Sequence, residues 1–124
     1  MEELKGKKVN RTLVEQIKND ILGKQYELSV CFVSKNKIKS LNKKYRKKNE
    51  TTDILSFPIS DKMGEIFICP AVAKIKSKKF YPVYENYLLF LVIHGSLHLK
   101  GLDHSDKMEA YEFTHYSRYR RRHI

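Results

Sequence analysis

The sequence predicts an α+β fold, a small sheet packed under helices, and three observations carry that expectation. Helix-period apolar spacing frames both ends of the chain, one segment alternates with period two, and two short β-rich runs flank a turn in the middle. Asn10 suits an N-cap for a first helix, whose apolar positions Leu13, Val14, Ile17, Ile21 and Leu22 keep helical spacing before Gly23 stops it. Tyr26, Leu28, Val30 and Phe32 alternate with Glu27, Ser29 and Cys31, the pattern of a half-buried strand. Ile38, Leu41 and Tyr45 then mark a Lys-rich amphipathic helix starting near Ser34 or Asn36.

Two short strands follow, Asp53–Pro58 and Glu65–Cys69, with the turn at Asp61–Gly64. Pro58 should end the first of them, having no N–H for a ladder. Pro70 suits the first turn of a short helix reaching about Lys79. A long apolar helix is predicted from about Val83 to Leu99, stopped by Gly101. The last helix should run from about Asp106, with Glu109 three residues on as in a capping box. No repeat, low-complexity tract or linker divides residues 1–124, so a single domain is expected.

Composition narrows the function. The chain has 124 residues, with 25 Lys plus Arg against 14 Asp plus Glu and a net charge of +11. That surplus points to a polyanionic partner. With 41% hydrophobic residues a core can close, which argues against a disordered chain. The longest apolar run, Tyr87 to Ile93, is seven residues, against about 20 for a spanning helix. The N-terminus carries no apolar signal segment, and Cys31 and Cys69 form no CxxC motif, so a reduced, cytoplasmic protein with no membrane partner is expected.

The strongest motif is His94-Gly-Ser-Leu-His98-Leu-Lys-Gly-Leu-Asp103-His104. His94 and His98 share one helix face about 6 Å apart along the axis, so both imidazoles can turn to one metal ion. Gly101 lets the chain reverse and present His104. Three imidazoles leave a fourth coordination position open, the pattern of a catalytic zinc site. This is the spacing of the metzincin proteases, but Gly95 stands where their general-base glutamate belongs. Peptide hydrolysis would lack its base, whereas phosphodiester cleavage beside a cation needs no carboxylate there.

Basic residues cluster at Lys35–Lys48, Lys74–Lys79 and Arg118–Arg122. Arg46 differs from the neighbouring Lys43, Lys44, Lys47 and Lys48, because its guanidinium fork can hold phosphate oxygens bidentately. The four lysines are candidates for contacts to a phosphate backbone, and Tyr81, Tyr84, Tyr111, Tyr116 and Tyr119 could stack on unpaired bases, although tyrosines at helical spacing more often serve packing and none is assigned to stacking.

These residues resemble the YbeY endoribonucleases, bacterial rRNA maturation factors with the signature H-G-x-L-H-L-x-G-x-D-H, which His94 to His104 follows throughout. A second family stretch is similar to Asn42-Lys-Lys-Tyr45-Arg46 and Thr52-Asp53-Ile-Leu-Ser-Phe-Pro58, and Gly64-Glu65-Ile66 resembles the family's Gly-Asp-Ile. Thr51 departs from the usual proline and the C-terminal tail is short. The resemblance implies a roughly four-stranded mixed sheet and one zinc ion held by His94, His98 and His104 at the base of a basic cleft. It implies cleavage of single-stranded RNA, in 16S rRNA 3′-end processing and ribosome quality control, with the ribosomal small subunit as partner and no DNA. Arg46 would match the essential cleft arginine, and Asp103 would support a ligand from behind. Two other readings stand beside this one: a ribosome-associated RNA-binding factor with a structural zinc, and a metzincin-like metalloprotease.

Overall fold

Side-chain caps start the first two helices. In the computed structural model, which describes residues 10–80, 83–102 and 106–120, Asn10 Oδ1 accepts from Leu13 N at 2.9 Å and opens α1 (Arg11–Ile21). Gly23 takes a φ of +101° just past its end. Ser34 Oγ accepts from Lys37 N at 3.1 Å and opens α2 (Lys35–Arg46). Between them lies β1 (Glu27–Phe32), and after α2 come β2 (Ile54–Ser60) and β3 (Met63–Ile68). Three helices complete the chain: α3 (Pro70–Phe80), α4 (Tyr84–Leu99) and α5 (Asp106–Arg120). The architecture is α+β, as the sequence predicts.

The sheet has the order β1-β3-β2, with β1 parallel and β2 antiparallel to β3. Three strands are present among the described residues, against the expected four or so. Pro58 does not end β2, which corrects the sequence expectation. Among the described residues β2 pairs on one side only, so a residue without an N–H fits its outer edge, and a register irregularity between Pro58 and Ser60 absorbs the misfit.

Alternation along the strands splits the core between the two sheet faces. Val30, Ile66 and Ile68 pack with α1 and α4 in the main cluster, around the fully buried Ile17, Leu88, Val92 and Ile93. Burying each such side chain contributes about 1.5–3 kcal/mol. On the other face Leu55 and Cys69 pack with Ile38 of α2, and Leu41, Phe57 and Phe67 lie at the margin of that smaller cluster. Tyr45 lies outside it at 58% exposure, although it shares the helical period of Ile38. Tyr119 is wholly buried, its hydroxyl bonded to Gln16 O and Asp20 on α1, so it cannot serve as a stacking platform. Among the described residues no helix is long and apolar enough to cross a membrane.

Candidate active site

Helix α4 lies between the sheet and α5, and Gly95 sets how closely it approaches the sheet. A Cβ at Gly95 would lie 2.9 Å from Ile66 Cδ1, 2.9 Å from Ser56 Oγ and 3.0 Å from Ile54 Cδ1. Position 95 therefore faces β2 and β3. A glutamate there would run into the sheet, which gives a packing reason for the departure from the metzincin pattern.

The adjoining face of α4 carries Tyr87, Phe90, His94 and His98. Ring centroids are 6.2 Å apart for Tyr87–Phe90, 5.6 Å for Phe90–His94 and 4.5 Å for His94–His98. The Nε2 atoms of His94 and His98 stand 3.1 Å apart. Two ligands of a tetrahedral ion with bonds of about 2.0–2.1 Å stand about 3.3 Å apart, so this pair fits one ion with little adjustment. From α5, Glu112 Oε2 meets His94 Nδ1 at 2.5 Å. A carboxylate accepts, so Nδ1 carries the hydrogen and Nε2, the atom facing His98, is the one with a lone pair. Both side chains are largely buried, at 16% and 12% exposure, which keeps the contact away from competing water.

Lys100 ends α4 and Gly101 follows with a φ of +103°. Gly101 N donates to His98 O at 2.9 Å and Leu102 N to Leu97 O at 3.1 Å, a Schellman closure that reverses the chain. The reversal expected at Gly101 is present. His104 and Asp103 lie outside the described residues, as does Tyr81. Among the described residues no three His, Cys, Asp or Glu side chains form a metal-holding group.

Arg46 lines the same cavity as the two histidines. It is the last residue of α2, and Lys47 caps the helix in a left-handed conformation, φ 58°. Buried Asn42 ties down the loop beyond, its Nδ2 donating to Glu50 O at 3.0 Å while its own carbonyl accepts from Lys48 N at 3.3 Å. Past that loop, Asp53 is held by Tyr87, whose hydroxyl donates to Oδ2 at 2.5 Å, with Lys76 Nζ 3.5 Å from Oδ1. Arg46, Thr52, Asp53, Ile54, Ser56, His94 and His98 together line a cavity of about 250 Å³. A larger open depression of about 720 Å³ lies at the α1–β1 end, among Glu15, Lys18 and Tyr26, remote from the histidines.

Of the predicted site residues, the structure brings Arg46, His94 and His98 to one cavity. Lys43, Lys44, Lys47 and Lys48 are exposed and lie outside its lining. Glu112, Asp53, Tyr87 and Asn42 received no role from the sequence. Glu112 had a readable signal: it falls in the buried stripe Met108, Glu112, His115, Tyr119, where an acid needs a partner.

The model for the family described as Endoribonuclease YbeY matches residues 1–120. A relative from Thermosipho melanesiensis, described as Endoribonuclease YbeY, is 41% identical over 103 residues, covering 81% of this chain and 74% of its own. One of the same description from Thermotoga maritima is 38% identical over 107 residues, covering 82% and 71%. A solution structure of a Thermotoga maritima protein superposes with a TM-score of 0.62 at 30% identity, covering 86% of this chain and 78% of that one.

Proposed function

This chain belongs to the YbeY endoribonuclease family, and from that premise we propose that it is a zinc-dependent endoribonuclease that cuts single-stranded RNA. Residues 1–124 would act as one domain in the cytoplasm, in 16S rRNA 3′-end maturation and ribosome quality control, on or near the small subunit. One observation carries the reading: Arg46, His94 and His98 line the same small cavity.

His94, His98 and His104 would hold the ion, which when bound supplies Lewis-acid stabilisation of charge developing on the phosphate. The chain's own residues do the rest. Glu112 keeps the hydrogen of His94 on Nδ1 and aims the ring. Arg46 takes two oxygens of the scissile phosphate in its fork and offsets their charge. Asp53, fixed by Tyr87 and Lys76, holds the cavity wall next to Arg46. The exposed Lys43, Lys44, Lys47 and Lys48 add affinity through the RNA backbone, which falls with salt by about 0.7 log units per neutralised phosphate for each tenfold increase.

The test compares His98→Ala and Arg46→Glu by elemental analysis and by cleavage of single-stranded RNA. His98→Ala is expected to lose metal and cleavage together, and Arg46→Glu to keep metal while cleavage falls about a hundredfold or more. Full cleavage by metal-free His98→Ala protein would overturn the reading. Unfolding of the wild type by a chelator would favour a structural zinc instead.

A further inference from the structure

Neighbouring residues in α2 and in β2 serve two different cavities. Arg46 and Ser56 line the cavity with the histidines, while Tyr45 and Phe57 line a second one of about 320 Å³ with Leu41, Pro58, Ile59 and Phe67. Strand alternation explains the division at β2, since Ser56 and Phe57 point to opposite faces of the sheet. β2 thus contributes to the lining of both cavities.

The second cavity is mostly apolar and lies open. Tyr45 and Phe57 ring centroids are 5.1 Å apart at 56°, and Phe57 and Phe67 are 5.8 Å apart at 61°. Tyr45 and Ile59 keep 58% and 53% of their surface exposed, a poor arrangement for rings whose only task is core packing. Glu65 is the one charged residue in the lining and offers an acceptor to base amino groups. Positive charge stands beside the cavity: Lys44 Nζ lies against the Tyr45 ring, and Lys43, Lys47 and Lys48 are exposed at the same end of α2.

We propose that this cavity is a nucleobase subsite, binding an unpaired base of the same RNA strand whose phosphate Arg46 would hold. The proposal rests on the ribonuclease reading for its ligand and on the aromatic cluster for its chemistry. Every base has a π-face that stacks on aromatic rings, and stacking of this kind tolerates any sequence. Positive charge beside the cavity selects a polyanion over a neutral or basic partner. Tyr45 and Arg46 are consecutive on α2 and line the two cavities, so one strand passing this end of α2 would meet both. Lys44 Nζ lies 5.1 Å from the Tyr45 ring centroid. An exposed contact of this kind is weaker than base stacking, so the ammonium can pass to the incoming phosphate.

The test uses a fluorescent 2′-O-methyl hexanucleotide, which cannot be cleaved through its 2′ position, and the same oligomer with abasic central positions. Wild-type protein is expected to bind the abasic probe about fivefold or more weakly, the lower bound for losing one stacked base. Tyr45→Ala should lose that discrimination, Tyr45→Trp should keep it, and Phe113→Ala, at an exposed position on α5, should leave it unchanged. If Tyr45→Ala does not fold, Ile59→Asn in the same lining replaces it and should also lose discrimination. Equal binding of both probes by the wild type, or discrimination that survives these lining variants, overturns the proposal. So does displacement of the RNA by an equimolar acidic peptide. A protein that cleaves RNA without discriminating refutes the subsite alone, and one that discriminates without cleaving refutes the ribonuclease reading alone.

Discussion

Glu112 and His94, eighteen residues apart, meet at 2.5 Å across the contact between α5 and α4. This contact decides which nitrogen of His94 carries the hydrogen, so under the proposed function its effect is on metal affinity more than on folding. Glu112→Gln should weaken zinc binding about 10–100-fold, as loss of a carboxylate behind a ligand histidine does, with the circular dichroism spectrum unchanged. Titration against a chromophoric chelator measures it.

The Asp53–Tyr87 bond joins residues thirty-four apart and anchors the start of β2 to α4. Asp53 is only 6% exposed, so water cannot replace the lost donor. Tyr87→Phe should cost about 1.5–3 kcal/mol, the range for a hydrogen bond to a charged group, read as a lower urea midpoint at unchanged slope.

Gly95→Glu tests the protease reading directly. The new side chain meets Ile66, Ser56 and Ile54 before it can reach the metal side of the helix. We expect a loss of about 2 kcal/mol or more, from overpacking and from burying a carboxylate, and no cleavage of casein. Measurable peptidase activity in a stable variant would revive the metzincin comparison.

His115 gives the fold a pH dependence. Burial lowers its pKa from 6.5, with Arg118 and Lys100 adding to the shift and Asp20 opposing it, and its buried Nδ1 has no hydrogen-bond partner among the described residues. The unfolded chain takes up this proton near pH 6.5 and the folded chain only at lower pH. Stability is therefore full above about 6.5 and is lost as pH falls towards the folded value. His115→Gln should lose less stability than the wild type between pH 7.5 and 5.5 in urea titrations.

Local rules made much of this molecule readable. Asn10 and Ser34 cap as their side chains demand, Gly101 reverses the chain, and the four-residue spacing of His94 and His98 brings their rings together. Interactions that depend on how elements dock were not readable in the same way. Glu112 acquires its partner only once α5 lies against α4, and Asn42 is buried because the loop after α2 folds back over it. Tyr45 follows the helical period of Ile38 yet stays exposed, because it lines an open cavity with Phe57 and Ile59 instead of joining the cluster around Ile38. Pro58 misled for a similar reason: its effect on a strand depends on which neighbours the strand has.

That same proline bears on self-association. An edge strand with a full row of free donors and acceptors recruits strands from other copies, the usual route to aggregates and domain-swapped pairs. At β2 the row is broken by Pro58 and by the slip before Ser60. Copies of this chain, each carrying +11 charges, then meet at this edge without a continuous row along which to zip together.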